Sequence, residues 1–339
     1  MKFVMMVPLR RCGSNAVRLR LHLHPHVFAP YPLHIHDFVP LLPRYGDLSV
    51  DENYMRLIID VVGFLNTSPV RWSFFSPDPL QLYKFLCRDK TKKRSLPRVV
   101  YEIYRQGALQ RDNMVRVILD KSQDSVIEWR EWIEAVPDIL FLDMIRDPRA
   151  QIASMNRCVL HDFHTRLNLD TWLSRRDIVE EIRAVYPEKI LTIRYEDFVH
   201  EPEIFFRAVC GFIDIPFLPS ILEITASEEA RHMSSTSPLW ENNDSIPLEF
   251  PLHKYLCYLS CTDVRMIEEA AASHLSRHNY NFDYKKDKDS SSFSSSALKS
   301  YDAINQQRRT QFLEWLREHF PGDYWIRMCR WRYLESLAL

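Results

Sequence analysis

Through the first two-thirds of the chain, hydrophobic positions fall into two alternating kinds of stretch. Short apolar runs rich in Val, Ile, Leu and Phe predict strands over Lys2 to Pro8, Val27 to Ala29, Val115 to Asp120, Ile139 to Ile145 and Ile190 to Tyr195. Longer segments between them predict helices over Ser14 to His24, Glu52 to Leu65, Pro79 to Cys87, Val126 to Ala135, Arg149 to Cys158, Leu169 to Tyr186 and Glu203 to Phe212. Strands separated by helices of this length need right-handed crossovers, and these build a mainly parallel sheet buried on both faces. The expected fold is therefore α/β in three layers. Ligands of such sheets sit where strands end and helices begin, so the residues just after each strand carry the most information.

The pattern changes after Tyr284, where a Lys/Asp run gives way to serines around Phe293. Such a stretch cannot bury enough apolar surface to order itself. It reads as a linker over 285–300, between a main domain over 1–284 and a helical tail over 301–339. In the tail, Phe312, Leu313, Leu316 and Phe320 share one helical face, and Trp315, Trp325, Trp331 and Tyr333 add aromatic bulk. That extension must pack against something, and it offers a route to an oligomer.

Composition narrows the classes. Hydrophobic residues at 46% and charged residues at 26% describe a globular chain with a sizeable core. The 44 basic and 45 acidic residues leave a net charge of -1, so no global field draws in nucleic acid or an anionic membrane, and any anion site must be local. The apolar runs are far shorter than the 18 or so residues a spanning helix needs, which argues against an integral membrane protein. Arginines, not a small-residue cleavage site, follow Phe3 to Val7, and the seven cysteines are odd in number and scattered; both fit a cytoplasmic chain with reduced thiols. Cys257 and Cys261 read as two thiols on one helix face. His22, His24 and His26 read as solvated histidines at a helix end, so no metal site is expected.

Three strand ends carry candidate chemistry. The first strand enters Arg10-Arg11-Cys12-Gly13-Ser14-Asn15 and then a helix, a turn whose backbone N–H groups and positive helix end suit a phosphate. Gly13 permits close approach, and Arg10 and Arg11 supply charge. The absence of GxxxxGK[ST] argues against an ATPase or GTPase, and against a P-loop nucleotide kinase. The fourth strand ends in Arg146-Asp147-Pro148, with Pro148 suited to a first helical turn and Ser154 two turns along, near enough to share an anion with Arg146. The fifth ends in Arg194-Tyr195-Glu196-Asp197.

Together these segments resemble the sulfotransferase superfamily, which moves a sulfuryl group from 3′-phosphoadenosine 5′-phosphosulfate (PAPS) to an acceptor hydroxyl or amine and releases adenosine 3′,5′-bisphosphate (PAP). The family's 5′-phosphosulfate loop reads approximately [RK]-x-G-[ST]-[ST], matched by Arg11, Gly13, Ser14 and Asn15. Its 3′-phosphate element, an Arg and a Ser eight positions apart, is matched by Arg146 and Ser154. Its tyrosine-bearing strand end is matched by Tyr195, which the resemblance places near the nucleotide. Asp120-Lys121-Ser122 resembles the acidic-Lys-Ser/Thr-Pro motif of glycan-type members, whose lysine lies near the transferring group. The resemblance covers about residues 1 to 215. Asn15 replaces the usual second hydroxyl, Cys12 stands at a commonly Ser or Gly position, and Gln123 takes the place of the proline. The Arg-Lys-Gly segment of the small-molecule cytosolic branch is missing. Arg231-His232-Met233-Ser234-Ser235 lies at that point, with Arg231 a candidate for the 3′-phosphate, so the pattern stands closer to glycan and bacterial members.

What the resemblance implies is in-line transfer without a metal, to a hydroxylated small molecule, lipid or glycan. Arg11 and Lys121 would balance the charge growing on the bridging oxygen. Family members place a His or Glu base shortly after the second strand, which makes His34 the first candidate and His36 the second; at i, i+2 in an extended segment only one can face the site. Cys12, in a cationic loop at a helix N-terminus, is expected to have a lowered thiol pKa. The other reading open at this point is a nucleotide-binding protein of the same fold that has lost activity.

Overall fold

The computed structural model describes residues 1–7, 9–72, 74–158, 161–240, 250–284 and 295–338. Strands β1 (Lys2–Val7), β2 (Val27–Phe28), β3 (Val117–Asp120), β4 (Leu140–Ile145) and β5 (Ile190–Arg194) form one sheet in the order β2-β3-β1-β4-β5, and every neighbouring pair is parallel. All five expected strands are present, trimmed by a residue or two; Pro8 lies outside the described residues.

The sheet is parallel because each strand can bury both faces. Phe3, Met5 and Val7 join one apolar layer and Val4 and Met6 the other, all at or below 1% exposure, as period-2 alternation requires. The first layer is closed by α2 (Asp51–Asn66), α3 (Pro79–Leu86), α4 (Leu96–Arg111) and α5 (Trp129–Ala135), and the second by α1 (Ser14–His22), with α8 (Tyr195–His200) and α9 (Pro202–Ile213). Helices α6 (Pro148–Met155) and α7 (Thr165–Val185) follow β4, and α10 (Glu228–Thr236), α11 (Phe250–His253), α12 (Cys261–Ala270) and α13 (Ala272–Arg277) follow α9. Among the described residues no helix is long and apolar enough to cross a membrane.

Several details depart from the sequence reading. The segment after β2 is a 3₁₀ helix, Ile35–Tyr45, and not extended; Pro40 and Pro43 within it withhold the donors an α-helix would need. Helix α4 falls outside the predicted set, and the helix predicted over Val126 to Ala135 opens with a 3₁₀ turn at Ser125–Glu128. Cys257 closes a short 3₁₀ turn and Cys261 opens α12, so the two thiols do not share one helix. Residues 295–300, expected in the linker, begin α14 (Ser295–His319); 285–294 lie outside the described residues.

The tail is seated on the α/β domain. After α14, α15 (Pro321–Ala338) packs on α2 and on the 3₁₀ helix. Tyr333 Oη donates to the Asp60 carbonyl at 2.9 Å, in a space left by Gly63, where an added Cβ would lie 2.1 Å from that oxygen. Ser237 Oγ donates to the buried Asp323 carboxylate at 2.6 Å. Leu316 is fully buried, whereas Trp325 and Trp331 stay about half exposed.

Candidate active site

Left-handed backbone shapes the loop after β1. Arg11 has φ 70° and Gly13 φ 89°, and Gly13 caps α1, its carbonyl accepting from the Ala16 amide at 3.0 Å. Only glycine fits there, since a Cβ would stand 2.3 Å from the Tyr195 ring carbons. Cys12 corrects an expectation: its side chain is fully buried in the apolar layer, and that burial pushes the thiol pKa up, against the lowering influence of Ser14 and Lys121. At most its backbone meets a ligand. Ser14 is buried. Asn15 Oδ1 accepts from Arg18 Nε at 3.0 Å, while its Nδ2 is buried with no hydrogen-bond partner.

The expected 3′-phosphate residues converge on this loop. Arg11 Nε donates to Ser154 Oγ at 3.0 Å, and Arg146 Nη1 donates to the Arg11 carbonyl at 2.9 Å. The Arg146 guanidinium lies 4.6 Å from the centre of the Tyr195 ring, so the tyrosine is pressed between Gly13 and Arg146. Position comes from the strand ends. Asp147 caps α6 by accepting from the Arg149 amide at 2.9 Å, and Pro148 occupies the first turn. Glu196 Oε1 accepts from the Asp147 amide at 3.0 Å and Oε2 from Tyr280 Oη at 2.8 Å, bracing the ends of β4 and β5 together.

The end of β3 supplies a third wall. The buried Asp120 carboxylate accepts from Tyr104 Oη at 2.6 Å and from Ser122 Oγ at 2.7 Å, and Ser122 Oγ accepts from the His34 amide at 3.0 Å. His34 stands at φ 52°, and its Nδ1 accepts from the Gln123 amide at 3.3 Å. Gln123 also takes a hydrogen bond from Arg10 Nε, so the residue that replaces the motif's proline ties the loop to the β3 end. Burial, then the charges of Lys121, Arg330, Arg10 and Arg327, hold the His34 ring well below the usual histidine range. His36 is turned away: its Nδ1 lies 3.1 Å from Glu128 Oε1, and that hydrogen bond raises its pKa.

Lys121 differs from the other cations of the cleft. Its side chain is buried, at 8% exposure. Burial, reinforced by Arg18 and Arg10, brings its pKa down to about 7.

Arg231 is exposed on α10, with Nη1 donating to the Thr225 carbonyl at 2.8 Å. The histidines expected to be solvated are in part drawn inward: His24 is fully buried with Nε2 2.9 Å from the Pro216 carbonyl, and His22 Nδ1 accepts from the Ala29 amide at 2.9 Å. No group of His, Cys, Asp and Glu suited to a metal occurs among the described residues. Two residues escaped sequence reasoning. Arg18, fully buried, joins α1 to the Ala29 carbonyl at 2.7 Å and to Glu229 at 2.8 Å; an arginine on an apolar helix face was its one signal. His161 has a buried Nε2 without a partner, and burial plus the charges of Arg10 and Arg11 push it to about 3.

The chain has the fold of a sulfotransferase domain from the Synechococcus PCC 7002 olefin synthase, at 20% identity over 80% of this chain and 94% of that one, with a TM-score of 0.50. A sulfotransferase domain from the curacin biosynthetic pathway aligns at 19% identity over 83% and 98% of the two chains (TM-score 0.46). Sulfotransferase STF9 from Mycobacterium avium aligns at 15% over 83% and 78% (TM-score 0.43). No curated protein matches the sequence. The family comparison is the decisive one, because its match runs over residues 4–219 and takes in the loop after β1, the ends of β3 and β4 and the Tyr195 turn. Because that match covers well over half of the chain, the chain belongs to the sulfotransferase family, enzymes that use PAPS as donor and release PAP.

Proposed function

We propose that PAPS is held between the loop after β1 and the N-terminal turn of α6, and that its sulfuryl group passes to a hydroxyl on a small-molecule, lipid or glycan acceptor. The observation that carries this reading is the pair of contacts from Arg11 to Ser154 and from Arg146 to the Arg11 carbonyl, which unites residues 135 to 143 positions apart. The residues suit the donor. Among the described residues Asn15 Nδ2 is a buried donor lacking a hydrogen-bond partner, and Gly13 leaves the backbone open to close approach. Arg11, Asn15 and the loop amides would hold the 5′-phosphosulfate, and Arg146 and Ser154 the 3′-phosphate. Free cysteines throughout agree with a cytoplasmic setting.

In the transfer, the bond from sulfur to the bridging oxygen breaks while the bond to the acceptor oxygen forms. The leaving oxygen belongs to a phosphate, which departs as an anion; Arg10 and Arg11 stabilise it and no acid is needed. The proton to be moved is that of the acceptor hydroxyl. Lys121, poised near neutrality, takes it as general base. His34 takes a different part from the one its sequence position implied. Its neutral ring has the Nδ1 lone pair engaged by the Gln123 amide, which leaves the proton on Nε2, a donor able to orient the acceptor oxygen.

Thermal unfolding with PAP and with ATP plus magnesium tests the donor assignment. PAP at 100 times its Kd should add about 2.7 kcal/mol, ATP much less, and Arg146→Ala should erase the difference. Equal shifts in the unmodified chain would refute a dedicated 3′-phosphate site.

A further inference from the structure

The C-terminal helices reach two chain segments, one carrying His34 and the other Asp162 and Phe163. Arg330 of α15 lays its guanidinium 3.6 Å from the centre of the Phe64 ring, and its Nη2 donates to the Leu33 carbonyl at 2.8 Å and the His34 carbonyl at 3.3 Å, with Asp37 Oδ2 at 3.5 Å. This side chain is 12% exposed. Ser122 holds the His34 amide from the other side, so both peptide groups of a left-handed, non-glycine residue are fixed. Such a conformation persists where surrounding contacts impose it. On α14, the buried Asn305 accepts from the Phe163 amide through Oδ1 at 2.9 Å and donates to Asp162 through Nδ2 at 3.1 Å. Arg309 meets the same carboxylate at 3.2 Å. The segment so held carries His161, whose unpartnered Nε2 lies under the influence of Arg10 and Arg11.

We propose that the C-terminal helix pair is part of the acceptor half of the active site, with Arg330 as a positioning residue for the His34 segment and Asn305 as one for the His161 segment. Both lie C-terminal to the stretch shared with the family. The proposal rests on the reading of the cleft given above and adds to it a dependence on the tail.

The variants are Arg330→Met, Arg330→Lys, which keeps charge and stem without the fork, and Asn305→Ala. Each is assayed with PAPS and the best-used acceptor among 2-naphthol, decanol and N-acetylglucosamine, with PAP affinity measured alongside. PAP affinity should stay within about twofold while kcat/KM for the acceptor falls roughly tenfold or more in Arg330→Met and Asn305→Ala, and Arg330→Lys should recover part of the loss. In a His34→Ala background the Arg330→Met factor should shrink towards one, since the two residues act as a unit. An NMR titration of the His34 ring needs no acceptor. Of the cations acting on that ring (Lys121, Arg10, Arg327 and Arg330), Arg330→Met removes one, so His34 should titrate at higher pH, and in Arg330→Lys it should not move. An unmoved His34 in Arg330→Met, unchanged acceptor kinetics in both Arg330→Met and Asn305→Ala, or full additivity with His34→Ala would each overturn the proposal. Loss of all PAP preference in the unmodified chain would instead overturn the reading of the cleft, in which the tail has no part.

Discussion

Replacing Lys121 with methionine should make the protein more stable and less active at once. The perturbation removes a buried ammonium and leaves a side chain of similar length. Burial moves the lysine from its ordinary 10.5 to about 7, and at roughly 1.4 kcal/mol for each tenfold change in proton affinity the charged form is disfavoured by about 5 kcal/mol. The sign follows from linkage. The folded state releases its proton near 7 and the unfolded chain near 10.5, so this cost is absent above 10.5, grows as pH falls between the two values, and is complete below 7. Urea unfolding of Lys121→Met should therefore show a gain of a few kcal/mol at pH 7 that shrinks by pH 10, since relaxation around the charge takes up part of the full penalty. Bound PAP sets anionic oxygens beside the ammonium, so PAP should stabilise the parent more than the variant. In kinetics, kcat/KM for the acceptor at saturating PAPS should rise with pH through a value above 7, since the donor's anionic oxygens hold the proton on Lys121 more tightly than in the free protein. An acid limb well below 6.5 would return the base role to His34, whose ring is held in that lower range. A variant less stable than the parent at pH 7 would refute the account of a charge disfavoured by its burial.

Other outcomes follow from the same geometry. Gly13→Ala forces a Cβ to within 2.3 Å of the Tyr195 ring at a left-handed position, and should cost about 1–3 kcal/mol and most PAP affinity, read by denaturant unfolding and calorimetry. His36→Ala should leave turnover nearly intact, unlike His34→Ala. The Glu128 contact raises the His36 pKa, so its stabilising effect should be present below pH 6.5 and vanish as pH rises through the raised value; equal losses at pH 5.5 and 8.5 would refute it. Cys12 should resist alkylation by iodoacetamide with or without PAP, because it is fully buried; rapid labelling of the apo protein would contradict that burial.

What could be read in the sequence was what local pattern encodes. The strands were legible because residues such as Phe3 to Val7 are apolar on both faces, and the turns at their ends because each follows a strand directly. Helix α4 was missed although Leu96, Val99, Val100, Ile103 and Tyr104 form a helical stripe, since Pro97 and Gly107 interrupt it. The surroundings of the two histidines were beyond local reading. His34 is set by Gln123 and His36 by Glu128, 89 and 92 positions away, and neither pairing leaves a mark on the residues beside the histidines. The thiol of Cys12 illustrates a competition of effects: its cationic surroundings were visible and the apolar layer beneath it was not.

Arg330 and the Leu33 carbonyl it holds are 297 positions apart, whereas the contacts joining the loop after β1 to α6 span fewer than half that number. Closing a longer loop costs more entropy, and chains emerge from the ribosome N-terminal end first. The elements proposed to hold PAPS can therefore come together while much of the polypeptide is still being made, and the His34 segment is fastened only once α15 exists. Refolding followed by PAP fluorescence displacement and by catalytic turnover would then show two separate times, with nucleotide recognition returning ahead of sulfuryl transfer.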